Sequence, residues 1–210
     1  MPRSLAITLN ALGLYAIALV LLVAFGAQLI LQELPCPLCL LQRIQFAMLA
    51  VGPILNVRFG PRPSHYAVSL LTAAAGAAFA ARQILLHVMP GDLGYGSALL
   101  GYHYYTWAFI GFAVAVVALA AMLLFDAQFK EDDKAQPVGG FARAAVWLVL
   151  ALTALNVFLV PRYGVDGASL AVLIATTFWS AWLWIAARQH VGFDASILEP
   201  LLPVPRRPLP

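Results

Sequence analysis

Charge is scarce in this 210-residue chain. Twelve Lys and Arg and nine Asp and Glu make up 10% of it, while 63% is hydrophobic. A soluble domain of this length needs far more charge to cover its surface. Cysteine is scarcer still: Cys36 and Cys39 are the only two. No second CxxC completes a four-cysteine zinc site, and His87 and His103 follow no standard zinc spacing. The chain also has no internal repeat, no phosphate-binding glycine loop, no paired carboxylates and no nucleic-acid motif. The net charge of +3 follows from membrane topology and calls for no acidic partner.

What the chain has is long apolar runs, each near the roughly 20 residues that span a bilayer as helix. Six spans are predicted, at about 7–31, 40–58, 66–88, 106–125, 143–161 and 168–187. Lipid leaves no water for backbone groups and the runs lack strand-like alternation, so the spans are helices. The fold class is all-α, a polytopic membrane helix bundle. The first run, behind Met1-Pro2-Arg3, is too long for a secretory h-region and reads as an uncleaved anchor.

Basic residues set the orientation. Arg3, Arg58, Arg62, Lys130, Lys134, Arg143, Arg188, Arg206 and Arg207 fall on one side, against Arg43, Arg82 and Arg162 on the other. Both termini are therefore expected in the cytoplasm, with "QELPCPLC" and the 89–105 loop on the outer face, in a bacterium the periplasm. The linker "DAQFKEDDKAQPVGG" reads as solvated cytoplasmic chain, and the tail "EPLLPVPRRPLP" as extended and proline-rich. Its arginines are placed to touch anionic lipid.

That placement bears on the thiols. A cysteine in an apolar chain is often an inert small hydrophobe, or half of a static disulfide. On an oxidising face, two thiols at CxxC spacing are candidates for cycling between dithiol and disulfide. Pro35 and Pro37 bracket Cys36 and stiffen the chain there. Helical periodicity starts near Leu38, which puts Cys39 in the first turn, where free N–H groups stabilise a thiolate. Arg43 lies one turn deeper on the same face. It either snorkels to the headgroups or stabilises negative charge beside Cys39.

The stretch "PCPLCLLQR" resembles the redox motif of the DsbB family of bacterial inner-membrane proteins, in which CxxC opens the second of four helices and an arginine follows four residues after its second cysteine. "ARQILLHVMP", residues 81–90, is similar to the end of that family's third helix. The resemblance covers roughly residues 8–125. It implies a four-helix redox core at 1–125; beyond it the chain's own pattern gives a linker at 126–142, two additional C-terminal transmembrane helices at 143–188 and a tail at 189–210. It also implies a thiol:quinone oxidoreductase that passes two electrons to ubiquinone or menaquinone and re-oxidises a periplasmic thioredoxin-like, DsbA-type protein. Carried over by position, Cys36 exchanges with the thiol partner and Cys39 contacts the quinone. Arg43 stabilises the quinone oxygen, and Arg82 and Gln83 are further quinone-side groups.

One departure stands out. Better-known members carry a second cysteine pair between helices three and four. Here that loop, "GDLGYGSALLGYHYYTW", has none. An internal relay is excluded, so a partner attacks Cys36–Cys39 directly or brings the second pair itself. The loop's aromatics read either as an interfacial belt or as a lid over a quinone head. The competing expectation for the whole chain is a membrane scaffold or transporter in which Cys36–Cys39 is only a staple. The spans hold few polar groups and no charged pathway, which disfavours transport.

Overall fold

Pro37 and Pro63 show how these helices begin: a ring with fixed φ and no N–H suits a first turn, where that donor has no partner anyway. The computed structural model describes residues 1–30, 36–129 and 139–159. Helix α1 runs Arg3–Ile30, α2 Pro37–Leu49, α3 Val51–Phe59 and α4 Pro63–Leu86. A two-residue hairpin follows, β1 at Ala98–Leu99 and β2 at Tyr102–His103, then α5 at Tyr104–Leu123. A 3-10 turn covers Asp126–Phe129, and α6 spans Gly140–Leu159.

Among the described residues, four helices are long and apolar enough to cross a membrane: Arg3–Ile30, Pro37–Phe59, Pro63–Leu86 and Tyr104–Leu123. They correspond to the first four expected spans, each starting a few residues earlier than hydropathy placed it. Helix α6 coincides with the fifth. The sixth, the tail, Lys130 and Lys134 lie outside the described residues.

The second span is broken, which its apolar run does not announce. Pro53 has no N–H, so the helical bond that would end on the Leu49 carbonyl cannot form. The chain turns at Ala50, whose N–H reaches back only to Ala47 O at 3.3 Å. Ser69 of α4 repairs the gap by donating its hydroxyl to Leu49 O at 2.8 Å.

Helices α2, α3 and α5 pack around α4, which is rich in small residues as close packing in lipid requires. At Gly76 a Cβ would stand 2.5 Å from the Phe112 ring, itself fully buried and stacked on Phe46 at a centroid distance of 4.0 Å. Helix α6 lies against α1, where the Tyr15 hydroxyl donates to Phe141 O at 3.1 Å. Trp147 of α6 is half exposed, as an outward anchor would be.

The two ends of the bundle differ. At one end Arg3 abuts Gly60 and a polar network is buried. Asn10 donates to Tyr66 Oη at 2.8 Å, and Tyr66 donates to Gln128 Oε1 at 2.9 Å. Asn56 donates to Asn10 Oδ1 at 3.0 Å and accepts from the Arg62 N–H and from His65 Nδ1–H. Each member has partners, as buried polar groups require. The cysteines and the hairpin loop occupy the other end.

The loop between α4 and α5 is more ordered than its glycines indicate. Leu100 and Gly101 both have positive φ, 53° and 84°, as a two-residue hairpin turn of the primed type demands. Trp107 Nε1 donates to Leu99 O at 2.9 Å and ties the hairpin to α5. The small hairpin is the one departure from an all-α description among the described residues.

Candidate functional site

Pro37 decides where α2 starts. A residue before proline is pushed out of the helical region, and Cys36 accordingly sits at φ −72°, ψ 160°, as the N-cap of α2. The helix begins one residue earlier than periodicity placed it, and this changes which sulfur it serves. The free N–H of Cys39 points at Cys36 Sγ, 3.0 Å away. The donors of the helix end thus favour negative charge on Cys36, where the sequence reading assigned them to Cys39. The two cysteines are joined as a disulfide, with Cα atoms 5.0 Å apart. Both are half-buried.

Gln83 comes to this pair from α4. Its side chain is 1% exposed, and Nε2 lies 3.3 Å from Cys36 Sγ and 3.6 Å from Cys39 Sγ. Its Oε1 accepts from Gln42 Nε2 at 2.9 Å. Gln42 lies in α2 one turn beyond Cys39 and is also buried. Two neutral amides therefore link α4, α2 and the disulfide in one chain of hydrogen bonds.

Arg43 turns toward α1. It donates to Gln28 Oε1 at 2.6 Å and to Ala24 O at 2.8 Å, and its guanidinium stands 5.9 Å from the centre of the Phe25 ring. Gln28 is 6% exposed, and its Nε2 is a buried donor with no partner among the described residues. Such a group is costly unless something accepts from it. Of the residues singled out in the sequence, Cys36, Cys39 and Gln83 are brought into contact, with Arg43 one turn deeper. Arg82 is exposed, and no hydrogen bond links it to the disulfide.

Gln28 and Gln42 escaped the sequence reading. A glutamine inside an apolar run is the signal that could have found them, because a polar side chain in a span needs a partner.

Near this end, the loop is pinned by its polar residues. Tyr105 stacks between His87 and His103, with ring centroids 5.6 and 5.2 Å away. His87 Nδ1 meets Asp92 Oδ2 at 3.1 Å, and the Gly94 N–H donates to Asp92 Oδ1 at 2.8 Å. The Gly94 bond first, and the His87 bond with it, hold the Asp92 carboxyl below its usual range. Among the described residues no three acidic, His or Cys side chains gather as metal ligands.

Comparison with known proteins converges on the same stretch. Residues 6–97 match the family described as disulfide bond formation protein DsbB. Disulfide bond formation protein B of Xanthomonas axonopodis pv. citri is 39% identical over 87 residues, 39% of this chain and 51% of that protein. Disulfide bond formation protein B 2 of Burkholderia lata is 42% identical over 85 residues, 40% of this chain and 50% of that protein. The match thus spans about half the length of the curated relatives. No solved structure matches.

Proposed function

We infer that this protein is a membrane thiol:quinone oxidoreductase of the DsbB kind, taking electrons from protein thiols through Cys36–Cys39. The observation that carries this reading is a CxxC disulfide in a hydrogen-bonded polar cluster at the end of an apolar bundle, within the segment that matches the DsbB family. The excess of Arg3, Arg58 and Arg62 at the opposite end supports a cytoplasmic placement there and an outward-facing disulfide. In a bacterium this is the inner membrane, with both termini inside and the thiols facing the periplasm.

A quinone fits the donor set. Its carbonyl oxygens accept hydrogen bonds, and the site offers the Arg43 guanidinium and, beside it, the Gln28 Nε2 donor that has no partner among the described residues. Arg43, Gln28 and Cys39 would hold ubiquinone or menaquinone, which when bound supplies two-electron acceptance. A fixed cation in a water-poor site stabilises negative charge without reorganisation. Arg82 is exposed and on a different face from Gln83, so it contributes to a quinone only through the bilayer-facing surface.

On the thiol side, a thioredoxin-like partner attacks Cys36 through one thiolate. The Cys36–Cys39 bond breaks and its electron pair goes to Cys39. The partner's second thiol then closes the partner's own disulfide and releases Cys36. Without a second cysteine pair in the 89–105 loop, this exchange is direct. The DsbA–DsbB–quinone chain that keeps the bacterial periplasm oxidising has the same overall electron flow.

Purified protein given a reduced thioredoxin-like donor and ubiquinone should reduce the quinone, followed by ultraviolet absorbance. Cys39→Ser should abolish the signal. Turnover with a small dithiol alone would mean that the natural thiol donor is a different protein. No turnover with either donor contradicts the reading.

A further inference from the structure

We propose that Gln83 is a catalytic residue that stabilises thiolate on both cysteines, and that Gln42 is a positioning residue that aims it. The inference rests on reading Cys36–Cys39 as redox-active, and it assigns Gln83 to the sulfurs rather than to the quinone.

A glutamine amide has one accepting end and one end with two N–H donors. In a buried site its orientation decides what it does. Here Gln42 Nε2 donates to Gln83 Oε1 at 2.9 Å, and this fixes the accepting end away from the disulfide. The donor end is left facing the sulfurs at 3.3 and 3.6 Å, enough for one N–H each. With Gln42 held as it stands, turning the Gln83 amide over would set two NH2 groups against each other and present an oxygen to the sulfurs. With Gln83 1% and Gln42 5% exposed, water cannot make good that loss.

The arrangement suits the exchange reaction. When a thiolate bonds to Cys36 Sγ, the Cys36–Cys39 bond breaks and its electron pair passes to Cys39 Sγ, which faces one Gln83 N–H. When the donor's second thiol displaces Cys36, the electron pair goes to Cys36 Sγ, which faces the other Gln83 N–H and the Cys39 backbone N–H. The donor leaves as a disulfide, two electrons remain on Cys36 and Cys39, and the donor's protons go to water. Hydrogen bonds that strengthen as charge develops accelerate the step in which it develops. Cys36 has two such donors and Cys39 one, so the pair is not symmetric.

The test uses full-length reduced protein in detergent, with no quinone and no protein partner. Its result therefore stands apart from that of the turnover assay. Iodoacetamide alkylation is followed across pH, with the two cysteines resolved by mass spectrometry. Gln83→Met keeps the volume and removes the donors. Its alkylation profile should move toward alkaline pH, with alkylation about tenfold slower below the midpoint, the size expected for one hydrogen bond to a charged group. The Cys36–Cys39 disulfide should also be harder to reduce by dithiothreitol.

Gln42→Met should shift the profile in the same direction by a smaller factor, although residue 42 touches neither sulfur. The double variant should match Gln83→Met, because Gln42 acts only through Gln83. A parental profile in Gln83→Met, or effects that add in the double variant, overturns the proposal. Where Gln83→Met does not yield folded protein, Gln42→Met decides: a parental profile there overturns it equally.

Discussion

Gln28, Gln42 and Gln83 are polar residues inside apolar helices, and each is nearly or wholly buried. Their value lies in what they bind. Gln83 and Gln42 address the disulfide, while Gln28 binds Arg43 and keeps one donor without a partner among the described residues. Arg43 depends on its shape as well as its charge, since it reaches Gln28 Oε1 and Ala24 O with two different nitrogens. A lysine is a point charge and cannot reproduce that fork. Arg43→Lys should therefore lower stability by about 1.5–3 kcal/mol, the worth of one lost hydrogen bond to a charged group. Thermal unfolding in detergent would register this. Quinone turnover should fall with it, and a variant matching the parent in both would show that Arg43 only snorkels. At this scale type and spacing marked Cys36, Cys39 and Arg43 as candidates in the sequence, while Gln83 was marked by resemblance alone and as a quinone-side group. Gln28 and Gln42 were not legible, because an amide declares its role only through the partner that tertiary structure supplies.

Among the elements, the second span depends most on its neighbours. Pro53 removes a helical bond, and Ser69 supplies the missing donor from α4. Ser69→Ala should leave the Leu49 carbonyl buried with that donor gone, destabilising the protein by about 1–3 kcal/mol. In a Pro53→Ala background residue 53 has its own N–H, so most of that cost should disappear. Chemical unfolding of the four proteins would check it, and equal costs in both backgrounds would refute the account of the break. The apolar run at 40–58 could not reveal the break, since Pro53 is compatible with either a kink or an early helix end. The 89–105 loop depends on its neighbours in the same way: Gly101 serves a tight hairpin turn, and Trp107 and the stacked His87–Tyr105–His103 rings hold the loop to α5.

Across the whole molecule, hydropathy was a sound guide to the four spanning helices, because the bilayer imposes length and composition on every span alike. The start of α2 was set by local proline chemistry instead. That one-residue difference moved the helix-end donors from Cys39 to Cys36. The bundle therefore has a basic end with a satisfied polar network, and a sulfur end where Gln28 Nε2 has no partner among the described residues. On the proposed function that donor is available to an acceptor oxygen beside Arg43, whereas a disulfide staple has no use for it. The most direct test of that distinction is to trap the redox state of Cys36 and Cys39 in bacterial membranes by acid quench and alkylation. It would be done once with the quinone pool oxidised and once with it reduced. A redox-active pair accumulates as dithiol when the pool is reduced and returns to disulfide on re-oxidation. A pair that stays oxidised in both states would contradict the account and leave Cys36–Cys39 as a structural staple.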